Sequence, residues 1–307
     1  MRVLFMGTPD YSVATLKALV DEGFDVAGVF AQPDKPVGRK QILTPPPVKA
    51  YAESIGIPVY QPTTLRDGKA LEIIKEINPE VIVVVAYGKI LPEEILNFPK
   101  YKCINGHASL LPKYRGASPI QWCIVCGEKQ TGVTTMLMDK GMDTGDILDT
   151  AVVDIGENET AEELFERLSV VSADLMIKTL KSIESGTAKP TKQNEDEATY
   201  APIIKKEMAH LDFSKTAYEL KCAIRGYYSW PCAFCFIEGK RVKVISADIA
   251  EGKGKAGTVI DNNGKLVIAC GNNTAIELKT VQPEGSKAMS ASQMLCGFKI
   301  PIGTTLN

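Results

Sequence analysis

The stretch Arg2-Val-Leu-Phe-Met-Gly7 is an apolar run that stops at a glycine, and Asp10 to Glu22 continues with apolar residues at helical spacing. Asp25 to Ala31 is a second short apolar run. Val81-Ile-Val-Val-Val-Ala86 is apolar at every position, as a strand covered on both faces must be. Lys102 to Gly106 and Gly132 to Met138 read as further strands of the same set. Short strands alternating with helices predict an α/β fold, a Rossmann-like, mainly parallel sheet with helices on both faces. Ligands of such sheets bind beyond the carboxyl ends of the strands, which is where His107 is placed.

The first strand-to-helix turn reads Gly7-Thr-Pro-Asp-Tyr11, with one glycine where a dinucleotide fingerprint needs three. Nicotinamide binding therefore loses its main support. No G-x-x-x-x-G-K-[ST] run offers a phosphate cradle, and Asp139, Asp143, Asp146 and Asp149 lack the alternating spacing that wraps a calcium ion.

A long helical pattern covers Ala161 to Glu184, after which Ser185 to Glu197 loses apolar periodicity and reads as an exposed connector. From about Asp212 a short helix leads into five strand patterns, near 233–238, 241–249, 256–260, 265–270 and 274–281. That count suits a smaller OB-like β-barrel. The expected division is a first domain over 1–189, a linker over 190–205 and the barrel domain over 206–307.

With 45% hydrophobic and 23% charged residues, the 307-residue chain reads as an ordinary soluble globular protein. The N-terminal apolar run is too short for a signal peptide, and no stretch reaches membrane-spanning length, so the expectation is a cytoplasmic protein without membrane contact. Net charge is −2, yet residues 206–307 carry 13 Lys and Arg against 9 Asp and Glu. A mildly basic barrel hints at a polyanionic partner. Two of the eight cysteines' spacings are C-x-x-C, at 123/126 and 232/235. One pair falls in a helix-like stretch and the other in a strand-like one, so buried core residues are the expected role and zinc is not.

Only two histidines occur, and one lies in Asn105-Gly-His107-Ala-Ser109-Leu110-Leu111-Pro112. Imidazole exchanges protons near neutrality, and on an extended segment Asn105 and His107 point to the same face. Asp143, in the glycine- and acid-rich run Asp139-Lys-Gly-Met-Asp143-Thr-Gly-Asp146, sits in a loop that can aim a carboxylate at that imidazole. His210 has no such company and reads as structural. The stretch Gln32 to Pro47 is a long loop without regular structure that carries Lys35, Arg39 and Lys40 among prolines, and is expected to reach a bound polyanion.

Taken together, Asn105-Gly-His107-Ala-Ser-Leu-Leu-Pro-Lys-Tyr-Arg115-Gly116 and Asp139-Lys-Gly-Met-Asp143-Thr-Gly-Asp146 resemble the folate-dependent formyltransferases. The likeness extends through Gly7-Thr-Pro-Asp10, Gln32 to Arg39, Pro45 to Lys49, Ala86 to Pro92 and the C-terminal module, nearly the whole chain. It implies transfer of a formyl group from 10-formyltetrahydrofolate to the α-amine of methionine carried by initiator tRNA, by a monomer needing no metal. It further implies Asn105, His107 and Asp143 as catalytic residues. Ser109, Leu110, Leu111, Pro112, Tyr87 and Gly88 would border the folate, and Lys35, Arg39 and Lys40 would meet the tRNA. Gly106 departs from the family, whose members more often carry Val, Ile or Cys there, and is expected to loosen the backbone between Asn105 and His107. Formyl transfer to a sugar-nucleotide or glycinamide ribonucleotide amine, and non-catalytic RNA binding, are the alternatives.

Overall fold

The computed structural model describes residues 1–38 and 40–307. It contains two compact units: Met1–Gly116 with Thr131–Asp154 and Phe165–Ala201, and Ala117–Gln130 with Ile155–Leu164 and Pro202–Asn307. In chain order the elements begin β1 (Arg2–Gly7), α1 (Asp10–Asp21), β2 (Asp25–Phe30), β3 (Lys35–Val37), β4 (Ile42–Thr44), α2 (Pro47–Ser54) and β5 (Val59–Tyr60). They continue with α3 (Lys69–Ile77), β6 (Val81–Val85), α4 (Glu93–Asn97), β7 (Cys103–His107), β8 (Arg115–Gly116), α5 (Pro119–Val125), β9 (Gln130–Leu137), β10 (Ile147–Asp154), α6 (Ala161–Glu184) and β11 (Tyr200–Ala201).

The first unit is built on a seven-stranded sheet ordered β10-β9-β7-β6-β1-β2-β5. From β7 to β5 the neighbours run parallel. Alternation along the strands divides the core: Leu4, Met6, Ile82 and Val84 pack with Ile74 of α3 and Ile95 of α4. On the opposite face the sheet meets α6 beside Ser172 and Met176. Every side chain of β6 is buried, which explains its unbroken apolar sequence, and each contributes about 1.5–3 kcal/mol in area removed from water.

β9 departs from the parallel pattern and runs antiparallel to β7. A parallel neighbour would need a crossover packed on this sheet. The only helix between the two strands, α5, belongs to the other unit, so the chain re-enters at the edge it left.

In the second unit, α7 (Ala217–Gly226) precedes β12 (Phe234–Ile237), β13 (Lys240–Ala250), β14 (Val259–Asp261), β15 (Leu266–Cys270), β16 (Thr274–Pro283), β17 (Met289–Ser290) and α8 (Ala291–Gly297). The antiparallel order is β12-β13-β16-β15-β14, with β17 on β16. The C-terminal residues join its two edges, because Leu306 bridges Ile237 while Thr305 bridges Thr258. The five predicted strands thus close into a small barrel around Val244, Val259, Ile268, Ile276 and Leu278. A reciprocal cap between Thr216 and Glu219 starts α7, which sends Leu220 and Ile224 into that core.

All eight cysteines are free thiols, and no group of three potential metal ligands occurs among the described residues. Burial pushes the Cys235 thiol up to about 12. His210 stacks on Phe234 with ring centroids 5.1 Å apart. No helix among the described residues is long and apolar enough to cross a membrane.

Candidate active site

β7 ends at the carboxyl edge of the sheet, and its last residues pair with β9 as Asn105 with Met136, Gly106 with Thr135 and His107 with Thr134. Alternation places Asn105 and His107 on one face and Gly106 on the other. There is no loosening at Gly106. It lies within the paired ladder, and a Cβ there would stand 3.1 Å from Ser172 Oγ and 3.4 Å from Met176 Cε. The glycine permits close approach of α6 to the strand that carries both polar side chains.

The His107 ring lies between two oxygen atoms. Nε2 is 2.9 Å from the Tyr114 carbonyl, which can only accept, so the neutral ring carries its hydrogen on Nε2. Nδ1 faces Asp143 Oδ2 at 3.7 Å, beyond hydrogen-bond range but within ion-pair range should the ring take a proton. Both side chains are largely shielded, at 7% and 16% exposure, so the pair is weakly screened by solvent.

Asp143 adopts φ +56°, a left-handed conformation that aspartate enters more readily than most residues with a side chain. Two contacts hold it and a third holds Gly145 beside it. Its Oδ2 accepts the Gly116 N–H at 2.8 Å, and its carbonyl and that of Gly145 accept from Gln193 Nε2 at 2.8 and 2.7 Å. Gln193 Oε1 in turn accepts from Arg115 Nε and Nη2. The same guanidinium, 1% exposed, makes two parallel bonds of 2.8 Å to Glu195. That fork holds the Glu195 carboxyl below the usual carboxylate range and raises the Arg115 guanidinium.

The stretch after His107 is folded onto β9. Ser109 is fully buried, its hydroxyl donates to the Lys113 carbonyl at 2.6 Å, and its carbonyl accepts from Thr134 Oγ1 at 2.7 Å. Leu111 N–H donates to the same threonine oxygen at 3.1 Å. Leu111 is nearly buried, while Leu110 and Pro112 are partly exposed. Tyr87 and Gly88 follow β6 at the same edge. The Tyr87 carbonyl accepts from Thr8 Oγ1 and Gln32 Nε2, tying together the ends of β1, β2 and β6. Its ring is buried among Leu4, Met6 and Phe30, so the main chain of 86–88 is what reaches the edge.

The formyl transferase profile matches residues 1–180, and the formyl transferase C-terminal domain matches 203–299. The chain belongs to the formyl transferase family. Over 309 residues it is 48% identical to the methionyl-tRNA formyltransferase of Caldanaerobacter subterraneus subsp. tengcongensis, covering 100% of both chains. The fold of this formyl transferase is shared with the methionyl-tRNA formyltransferase from Clostridium thermocellum, at a TM-score of 0.58 and 25% identity over 83% of this chain and 96% of that one. An N-formyltransferase from Helicobacter canadensis, solved with folinic acid and dTDP-3-aminofucose, matches at a TM-score of 0.70 and 22% identity, covering 92% and 98% of the two chains.

The basic stretch of the formyl transferase is more ordered than a structureless loop. β3 and β4 form a hairpin in which Lys35 pairs with Thr44 and Val37 with Ile42. Lys35 and Lys40 are exposed, whereas Arg39 lies outside the described residues. Val37, Ile42 and Leu43 are more than half exposed, giving the hairpin an apolar surface beside its cations. Its base is pinned where Lys49 Nζ contacts both Asp34 carboxylate oxygens and Gln61, all at 2.9 Å. Bonds from Gln61 and then Lys49 hold the Asp34 carboxyl below its ordinary range.

Tyr114, Arg115, Gly116, Gln193 and Glu195 surround the pair without having been expected there from the sequence. Tyr114 and Gly116 stood in the quoted motif, so their nearness to His107 was a usable signal. Gln193 and Glu195 lie about 50 residues beyond Asp143 in a polar stretch, and nothing local marked them.

Proposed function

We propose that this formyl transferase moves the formyl group of 10-formyltetrahydrofolate to the α-amino group of methionyl-initiator-tRNA, as a cytoplasmic monomer. The observation that carries the reading is the His107–Asp143 pair at the sheet edge of a chain that matches a methionyl-tRNA formyltransferase along its whole length. The folate contributes an activated N-formyl group. The protein must take a proton from the attacking amine, stabilise the oxygen that gains charge, and return a proton to the departing nitrogen.

His107 Nδ1 is the ring atom with a free lone pair, and it is the proposed base. Once protonated, the ring donates to Tyr114 O through Nε2, and its new charge faces Asp143. The Asn105 amide, on the same face of β7, is the proposed donor to the developing oxyanion, a role worth about 3 kcal/mol per donor. Ser109, Leu110, Leu111 and Pro112, with the main chain of Tyr87 and Gly88, are the proposed folate border. Lys35 and Lys40 of the hairpin, together with Arg39, are the proposed tRNA contacts, and the barrel over 206–307 is assigned to the same partner.

The test is incubation with 10-formyltetrahydrofolate and charged initiator tRNA, against charged elongator tRNA and free methionine. Formylation confined to the initiator arm is expected. Absence of formyl transfer in every arm overturns the reading. Asp143→Asn should lower kcat far more than it weakens folate binding measured by titration. Equal losses would count against Asp143 as the partner of His107.

A further inference from the structure

The polar stretch that follows α6 makes contacts on both sides of the histidine. Thr191 pairs with Ile147 in an isolated bridge, the Gln193 amide joins Arg115 to the carbonyls of Asp143 and Gly145, and Glu195 completes the fork on Arg115. Further along, Thr199 Oγ1 accepts from Tyr114 N–H at 2.9 Å, and the Thr199 carbonyl accepts from Arg115 N–H at 2.8 Å. β11 then pairs with β8, placing Tyr200 beside Arg115 and Ala201 beside Gly116. Tyr114 and Asp143 are the residues whose oxygens flank the His107 ring, and both have positive φ, +60° and +56°. For a tyrosine this conformation is uncommon and must be held by its surroundings.

We propose that residues 191–201 are a brace that sets both oxygens flanking the His107 ring, with Gln193 as its positioning residue for Asp143. The inference rests on the reading of His107 and Asp143 given above. Gln193 suits the task because all four of its side-chain bonding sites are used in one orientation. Its oxygen faces only guanidinium donors, and its nitrogen faces only carbonyl acceptors. A reversed amide would set NH2 against the guanidinium and oxygen against oxygen, so the side chain has a single satisfied pose. Gln193 does not touch the reacting atoms. It acts through the main chain of Asp143, which controls where Oδ2 lies relative to Nδ1.

Gln193→Glu isolates this role. The substituted carboxylate keeps a partner for Arg115, but it sets an oxygen against the two carbonyls, to which it cannot donate. Wild type, Gln193→Glu, Asp143→Asn and the double variant are compared by kcat, by KM for the folate and the charged tRNA, and by the pH profile of kcat. Gln193→Glu is expected to lower kcat on the order of 10- to 100-fold, the scale of a small misplacement of a catalytic group, with little change in either KM. The midpoint of the pH profile is expected to move. In the Asp143→Asn background the same change should cost little more, because the group it positions is already gone.

A fully additive double variant overturns the brace, since a merely structural loss would multiply. Wild-type kcat for Gln193→Glu overturns it as well. If Asp143→Asn itself leaves kcat intact, the functional reading fails instead, and the two failures are therefore distinct. Should Gln193→Glu not fold, Gln193→Leu, similar in size and without donors, is read by the same criteria.

Discussion

Alanine at position 116 separates two costs that the structure assigns to one residue. Gly116 has φ +120°, its N–H donates to Asp143 Oδ2 at 2.8 Å, and an added Cβ would stand 2.8 Å from the Ala201 carbonyl oxygen. That oxygen belongs to main chain paired across β8 and β11, so it has little freedom to withdraw. Backbone strain of this kind costs about 1–3 kcal/mol, and at roughly 2–4 °C per kcal/mol the melting temperature should fall by several degrees. Displacing the N–H removes a hydrogen bond to a carboxylate, worth about 1.5–3 kcal/mol. If that bond orients Asp143 for the reaction, its loss corresponds to about 10- to 100-fold in kcat. Gly186→Ala is the control: that glycine also has positive φ, +70°, but nothing lies within 4 Å of its added Cβ. It should lower the melting temperature and leave kcat alone. A Gly116→Ala enzyme that is destabilised yet turns over at the wild-type rate would refute the claim that this N–H orients Asp143. Unchanged stability and turnover would refute the local geometry as well.

Acid should weaken the fork between Arg115 and Glu195. The folded Glu195 carboxyl lies below its unfolded value, so its contribution is complete above the unfolded pKa of about 4.3 and is lost as pH falls through the folded one. Glu195→Gln should therefore flatten the acid limb of a stability-versus-pH curve, and an unaltered limb would count against the fork. Replacing Arg39 and Lys40 with alanine should weaken use of charged tRNA and reduce its salt slope by about 0.9 for each phosphate no longer neutralised, with folate binding unchanged. An unchanged slope would remove the hairpin from the binding surface. Under native conditions Cys126 and Cys296, the exposed thiols, should react first with a thiol reagent. Cys103, Cys235 and Cys270, whose thiols burial pushes up to about 12, should resist until unfolding, and rapid labelling of all eight would contradict the packed core.

The scaffold was legible because its signals are local. Val81 to Val85 could be read as a doubly covered strand from five consecutive residues, and the barrel from apolar runs separated by turns. Strand direction was less legible, since β9 has the composition of a parallel strand and only the route of the chain makes it antiparallel. The hairpin β3–β4 has the sequence of a loop because Val37, Ile42 and Leu43 face outward and show no buried side. Periodicity detects a boundary between core and water, and a two-stranded ribbon without a core presents none.

The same limit explains the site. Asn105 and His107 could be paired on one face from their spacing alone, and the acid-rich run around Asp143 announced a polar loop. The stretch from Thr191 to Ala201 looked like solvent-exposed connector because its side chains are polar and aperiodic. Yet Gln193 and Thr199 are held by hydrogen bonds to main chain that is far away in sequence. A segment ordered by bonding rather than by burial leaves no hydrophobic pattern, and its partners become visible only once the fold has brought residues 78 and 80 positions apart into contact. The catalytic chemistry assigned to His107 is thus readable from residue type, whereas the angle at which Asp143 meets it depends on contacts that residue type does not encode. A search for positioning residues in such enzymes should therefore begin with buried arginines such as Arg115, whose four donated side-chain bonds lead directly to the segments they hold.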